Sequence, residues 1–183
     1  MKTKLFFIAL CFLTISCGLL RDTPGYLSGH HKLNDSQKSK IEILDTLLPE
    51  KLASSDAILV INGTTLRHYQ TTTDTTLVYI WGAKCSSEVC VPLSYVDAYC
   101  KSRGYSLVIV AEYYDPIIFE QQWNSKYSLV FIDHFYYAQN KPNKYIPLFL
   151  KDVLGKEHTS LATTDDRYYI FKNGVPLFTK KQL

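Results

Sequence analysis

The chain has 183 residues, 46% of them hydrophobic and 14% aromatic, a composition that excludes a disordered tail or a low-complexity polymer. Its formal charge is +3, and two of the lysines behind that surplus, Lys2 and Lys4, stand at the very start. The remainder is close to neutral, which argues against nucleic acid or a strongly acidic molecule as a partner.

Lys2 and Lys4 lead into an unbroken apolar stretch over residues 5–13, followed by Thr14-Ile15-Ser16-Cys17-Gly18. That stretch falls short of the roughly 20 apolar residues a membrane span needs and has the form of a secretory signal over residues 1–16, so the chain is expected to be exported. Residues 13–17 resemble the lipobox of bacterial lipoproteins. The resemblance implies that Cys17 is lipidated and becomes the first residue of the mature protein, anchoring it to a membrane of the bacterial cell envelope and facing the periplasm. Cleavage by the ordinary signal peptidase near Ser16 or Gly18 is the alternative, and Cys11 leaves with the leader in either case.

Residues 17–55 are expected to form a lipidated tether and a short amphipathic helix. Gly18, Pro24, Gly25, Ser28 and Gly29 break regular structure, polar residues follow to Lys40, and His30-His31 reads as a solvated pair. In the helix, Ile41, Leu44 and Leu48 share one face, Asp35 or Ser36 caps the start, and Pro49 ends it.

The folded domain is expected over residues 56–183, with a single core. Two β-rich runs, 57–61 and 64–69, flank Asn62-Gly63, a dipeptide that accepts the positive φ angles of a two-residue hairpin turn. A strand over 76–81 comes next, then a helical face made by Val89, Leu93, Val96 and Cys100 and closed by Gly104. Residues 106–111 form a continuous apolar run, as in a strand covered on both faces. Asp115-Pro116 opens a short helix to Trp123, residues 129–133 form another strand, and 134–145 form a loop. Pro147 then sits in the first turn of a helix to Leu154. A second Asn-Gly pair, Asn173-Gly174, joins strands at 167–172 and 175–179. The alternation predicts an α/β sandwich with a mixed central sheet and flanking helices.

Chemistry concentrates in Trp81-Gly82-Ala83-Lys84-Cys85-Ser86-Ser87-Glu88-Val89-Cys90. A cysteine between a strand end and a helix N-terminus meets unpaired N–H groups and the positive end of the helix dipole, both of which stabilise a thiolate. Lys84 adds a positive charge and Glu88 opposes it. On an intact helix, Cys85 and Cys90 would be about 7.5 Å apart along the axis, beyond the roughly 4.4 to 6.8 Å between Cα atoms that a disulfide accepts. Pairing therefore needs an irregular first turn, and Pro92, which cannot donate to the carbonyl of Glu88, makes one plausible. No Cys/His spacing here matches a zinc pattern, although His68, His134 or His158 can be imagined beside the two cysteines. No cofactor is expected.

The strand ending in Trp81-Gly82-Ala83-Lys84-Cys85, the helix with Pro92-Leu93, the strand at 106–111, the inserted helix and strand before 133, and the terminal Tyr168-Tyr169-Ile170-Phe171-Lys172-Asn173-Gly174 together resemble a thioredoxin fold. They are most similar to the thioredoxin-like lipoproteins of the bacterial envelope, with an extra N-terminal β-hairpin. The resemblance covers about residues 56 to 180. It implies thiol-disulfide exchange with protein thiols and disulfides and with an envelope redox partner, Cys85 attacking, Cys90 resolving, and Trp81 as the aromatic residue upstream. The sequence departs from the family at several points: Glu88 stands where C-x-x-C places its second cysteine, Tyr79 where a buried acidic or polar residue is common, and the cis-proline position falls near Asp166. Two other readings remain. One is a catalytically degenerate thioredoxin-fold binding or adaptor module. The other is a peroxiredoxin-like thiol peroxidase, for which C-x4-C is known but whose Pro and Thr or Ser are replaced by Val78 and Gly82.

Overall fold

The computed structural model describes residues 27–54, 57–85, 91–116, 118, 127, 129–162 and 165–181. Its centre is a seven-stranded mixed sheet in the order β1-β2-β5-β4-β3-β6-β7. The strands are β1 (Ile41–Leu44), β2 (Ile58–Ile61), β3 (Thr75–Trp81), β4 (Ser106–Ala111), β5 (Leu129–Ile132), β6 (Tyr168–Lys172) and β7 (Val175–Lys180). The first five in that spatial order are parallel, and β6 and β7 are antiparallel additions beside β3. Every residue of β2 and β5 is buried, as expected for apolar runs in a parallel sheet covered on both faces.

The helices are α1 (Asp35–Lys38), α2 (Pro49–Ser54), α3 (Gly63–Thr71), α4 (Leu93–Arg103) and α5 (Pro142–Leu154). On one face α3 and α5 pack Leu66, Tyr69, Phe149 and Val153 against Ile61, Val78, Val110 and Ile132 of the sheet. On the other, Val96 and Cys100 of α4, with Ile118, pack against Leu77, Tyr79, Ile109 and Phe131. The molecule is thus a three-layer α/β sandwich.

Several expectations are corrected. The N-terminal β-hairpin does not form: β2 ends at Ile61 and Asn62-Gly63 opens α3. The Asn62 side chain accepts the Thr65 N–H at 2.9 Å, an N-cap. Gly63 is required by close packing and not by a turn, since a Cβ there would lie 2.4 Å from the Phe149 carbonyl oxygen and 2.7 Å from Asp152 Cβ. The same dipeptide does make the second hairpin, where Asn173 and Gly174 take φ of 50° and 78°.

The amphipathic helix at 36–48 is likewise replaced. Asn34 caps the four-residue α1 through a capping box with Gln37, and Ile41 and Leu44 belong to β1, an edge strand parallel to β2. Pro49 begins α2 rather than ending a helix. The described part of the expected tether, residues 27–40, is packed onto the domain. Ser28 donates its N–H to the Asn140 carbonyl at 2.8 Å and accepts from the Tyr114 N–H at 2.6 Å, and Leu33 is 3% exposed. His30 is not a solvated linker residue, for its ring lies 5.1 Å from Phe135 and 5.5 Å from Tyr114. The loop at 134–145 is shorter than expected because Pro142 starts α5, which leaves Pro147 inside the helix. Pro116 and Ile118 are helical, as expected there. Among the described residues no helix is long and apolar enough to cross a membrane.

Candidate functional site

The carboxyl ends of β2, β5, β4 and β3 lie along one edge of the sheet, and Cys85 sits just beyond the end of β3. That strand remains in register with β4 as far as Trp81 opposite Ala111. Trp81 is half-buried against the α4-side core, and the chain then turns through Gly82, Ala83 and Lys84. The Cys85 N–H donates to the Gly82 carbonyl at 3.0 Å, closing the turn. The Lys84 N–H donates to the Tyr113 hydroxyl at 3.0 Å, and the Glu112 N–H to the Trp81 carbonyl at 3.0 Å, so the segment after β4 braces the turn after β3.

Cys85 is half-buried and disulfide-bonded. Cys100 is a free thiol, so the partner of Cys85 lies outside the described residues. Cys90 and Glu88 also lie outside them, as do residues 1–26 with the expected leader and Cys17. The expectation that Cys85 occupies the N-terminus of the following helix is corrected for α4. That helix begins at Leu93 with Pro92 as its N-cap, C-terminal to both Cys85 and Cys90. The two cysteines are therefore not spaced along α4, and the distance objection to their pairing, which assumed an intact helix, does not apply to it.

The electrostatics of the turn come from residues on other elements. Glu112, the first residue after β4, pairs with Arg167, which precedes β6 and whose carbonyl accepts the Ile80 N–H at 2.8 Å. Both side chains are largely buried, at 17% and 21% exposure. A Cβ on Gly82 would lie 2.6 Å from Glu112 Oε2 and 3.8 Å from Cys85 Cβ. Any larger residue at 82 would push that carboxylate away from its place beside the cysteine turn. Lys84 Nζ is 2.9 Å from Asp115 Oδ2, and Asp115 is 6% exposed. The hydrogen bond to Asp115, then its charge, raises the Lys84 pKa. Lys84 therefore faces its own carboxylate partner, so its expected service to the thiolate is weakened. Around Cys85 two cations and two carboxylates are paired off.

Tyr79, where the expected resemblance called for an acidic or polar residue, is fully buried and stacked on Tyr168 with ring centroids 4.6 Å apart. Burial raises its pKa. Asp166, at the expected cis-proline position, accepts a 2.5 Å hydrogen bond from the Thr179 hydroxyl at the base of the terminal hairpin. Cys100 lies on the inward face of α4, as its spacing predicted, with 2% exposure, and burial followed by the Asp97 charge pushes its thiol up to about 12.

The structure thus brings Trp81, Lys84 and Cys85 together in one turn and sets Pro92 at the helix that follows. His68 lies on α3, His134 follows β5, and His158 lies in the 3-10 turn after α5. Sequence reasoning missed Glu112, Asp115 and Arg167. A strand running straight into Glu112 was a usable signal for the first; nothing local announced Arg167, which arrives by antiparallel pairing of β6 with β3. No protein-family model, curated protein or solved structure matches the chain.

Proposed function

We propose that the protein is a membrane-anchored thiol-disulfide oxidoreductase of the bacterial envelope, exported as a lipoprotein through Cys17, with Cys85 and Cys90 as its redox pair. The observation that carries this reading is a disulfide at Cys85, a half-buried residue in a tight turn at the carboxyl end of a central parallel strand. The order of elements supports it too. With Asn62-Gly63 opening a helix, β2 to β4 read β-α-β-α-β and α5 leads into a terminal hairpin, the succession a thioredoxin-like domain asks for. β5 is an insertion relative to that plan, standing between β2 and β4.

In the reductive direction the Cys85 thiolate attacks one sulfur of a substrate disulfide, a mixed disulfide forms, and one substrate thiolate leaves and takes a proton. The Cys90 thiolate then attacks Cys85 Sγ, breaking the mixed disulfide, releasing the second substrate thiol and closing Cys85 to Cys90. Two electrons pass to the substrate, and an envelope dithiol partner reopens the bridge.

The test is reduction of insulin disulfides by the protein with dithiothreitol as electron source. The reading expects turnover that Cys85→Ser abolishes, and mixed disulfides that accumulate on Cys90→Ser. Consumption of peroxide by the reduced protein without insulin reduction would replace it with the peroxidase. A second reading, a binding module with a structural bridge, is favoured by the pairing of Lys84 with Asp115 and of Arg167 with Glu112, which leaves no unpaired cation among these groups for a thiolate. Absence of both activities would select it.

A further inference from the structure

A cleft of about 410 Å³ opens at the same edge of the sheet, outside the carboxyl ends of β4 and β5, and is lined by Ser28, His30, His31, His134, Phe135 and the segment 138–140. Its place in the topology is informative. The connection leaving β4 runs over the α4 side, where Ile118 packs, and the one leaving β5 runs through α5 on the opposite side. Adjacent parallel strands whose connections depart to opposite faces leave a crevice between them, where ligands of open α/β sheets bind.

The walls are aromatic. The His134 and Phe135 ring centroids are 4.0 Å apart, and the His30 ring stands 5.1 Å from Phe135, nearly perpendicular to it, and 5.7 Å from His134. Tyr114 backs both imidazoles. The polar groups are few and uncharged in character. Ser28 donates to Asn140 Oδ1 at 2.5 Å, which leaves the Asn140 amide nitrogen and the Gln139 side chain at the rim. His134 is 4% exposed, and its Nδ1 is buried with no hydrogen-bond partner. The nearest carboxylate, Asp133, is turned away into the Phe135 and Tyr136 N–H groups at 3.0 Å. Burial, then the His30 charge, lowers the His134 pKa to about 4, and burial, then the Lys38 charge, lowers that of His30. Among the described residues no Lys, Arg, Asp or Glu lines the cleft.

We propose that this cleft is a binding site for a small, uncharged, planar molecule, aromatic or heteroaromatic, held against the wall formed by the His30, His134 and Phe135 rings and hydrogen-bonded at its edge. Its size falls in the range of small-molecule sites, and aromatic walls with a few convergent polar groups are their usual lining. An anion is disfavoured, because among the described residues no Lys or Arg lines the cleft to offset its desolvation. The proposal is independent of the cysteine chemistry.

The experiment titrates the purified protein with indole, followed by NMR shifts of the histidine ring protons. Saturable shifts confined to His30, His31 and His134 are expected, with benzoate binding at least fivefold more weakly. Phe135→Ala, which removes a ring that is 61% exposed and so leaves the fold intact, should weaken indole at least fivefold. His134→Phe, which keeps a ring and removes the nitrogens, should also weaken it, while Cys85→Ser should leave it unchanged. Absence of saturable shifts, indole affinity indifferent to Phe135→Ala, or tighter binding of benzoate would overturn the proposal. So would stoichiometric binding of zinc at the two imidazoles with no indole binding.

Discussion

Cys85 and Cys100 lie at either end of one short stretch of chain, yet the fold gives them opposite chemistry. Cys85 falls past the end of β3, half-buried in a turn braced by Tyr113 and flanked by two ion pairs, and is oxidised. Cys100 falls one turn from the end of α4, on the face pressed into the sheet, and is reduced with its thiol held protonated far above neutrality. The difference teaches that position in the fold separates the two cysteines: burial within a layer keeps Cys100 a protonated free thiol, while the strand end leaves Cys85 half-buried and open to pairing.

The largest expected effect is on alkylation. A thiol titrating at about 12 has only about 10⁻⁵ of its population as thiolate at pH 7, against a few per cent for an ordinary one. Once the protein is reduced, iodoacetamide should label Cys85 at least about 10³-fold faster than Cys100. Peptide mass mapping reads both rates, denaturant should erase the gap, and similar native rates would break the comparison. The pH dependence follows with its sign. The folded state favours the neutral Cys100 thiol, so this contribution to stability is complete below the reference pKa of 9.0 and is lost as pH rises toward about 12.

Stability separates the two positions next. If Cys85 bridges to Cys90, closing so short a loop contributes about 2 kcal/mol, so Cys85→Ser should lower urea stability by that amount in oxidised protein and hardly at all in reduced protein. Cys100→Ala should cost about 1 kcal/mol in both redox states, by vacating core volume, and leave insulin reduction unchanged. A Cys100 substitution that altered turnover would contradict the division of roles.

Smaller effects test the charges around Cys85. Arg167→Met strands the Glu112 carboxylate beside Gly82 and Cys85, which disfavours the thiolate and should slow alkylation at pH 7 about threefold to fivefold; Glu112→Gln leaves the guanidinium unpaired and should speed it by a similar factor. Lys84→Met should change the rate less than about twofold, since the lysine is 67% exposed and already paired with Asp115. A Lys84 effect larger than that of Arg167 would reverse this ranking.

The two Asn-Gly dipeptides show how far the sequence could be read. Both satisfy the local rule for a hairpin, and only Asn173-Gly174 obeys it. At Asn62-Gly63 the Asn62 side chain caps α3 instead, and Gly63 serves the packing of α5, whose Phe149 carbonyl and Asp152 leave no room for a Cβ, a contact invisible in a local window. Strands β3 to β7 and the inward position of Cys100 were legible because continuous apolar runs, Gly104 and helical spacing carry the signal themselves. β1 was not: Ile41 and Leu44 fit a helical face equally well, and only pairing with β2 chooses the strand. At the site, Trp81, Lys84 and Cys85 were found because they are contiguous, while Glu112, Asp115 and Arg167 are assembled by strand order. The histidine cleft was missed for the same reason, with Ser28 and His30 arriving from the N-terminal segment and His134 and Asn140 from the loop that follows β5.

The most direct test of the account is a glutathione redox titration of the native protein, with free thiols alkylated at each potential and the linked peptides identified by mass. The account predicts one reversible bridge, Cys85 to Cys90, opening and closing through a single two-electron transition while Cys100 remains a free thiol throughout. A Cys85 bridge that stays closed in the native protein under reducing glutathione, or one made to any other cysteine, would contradict it.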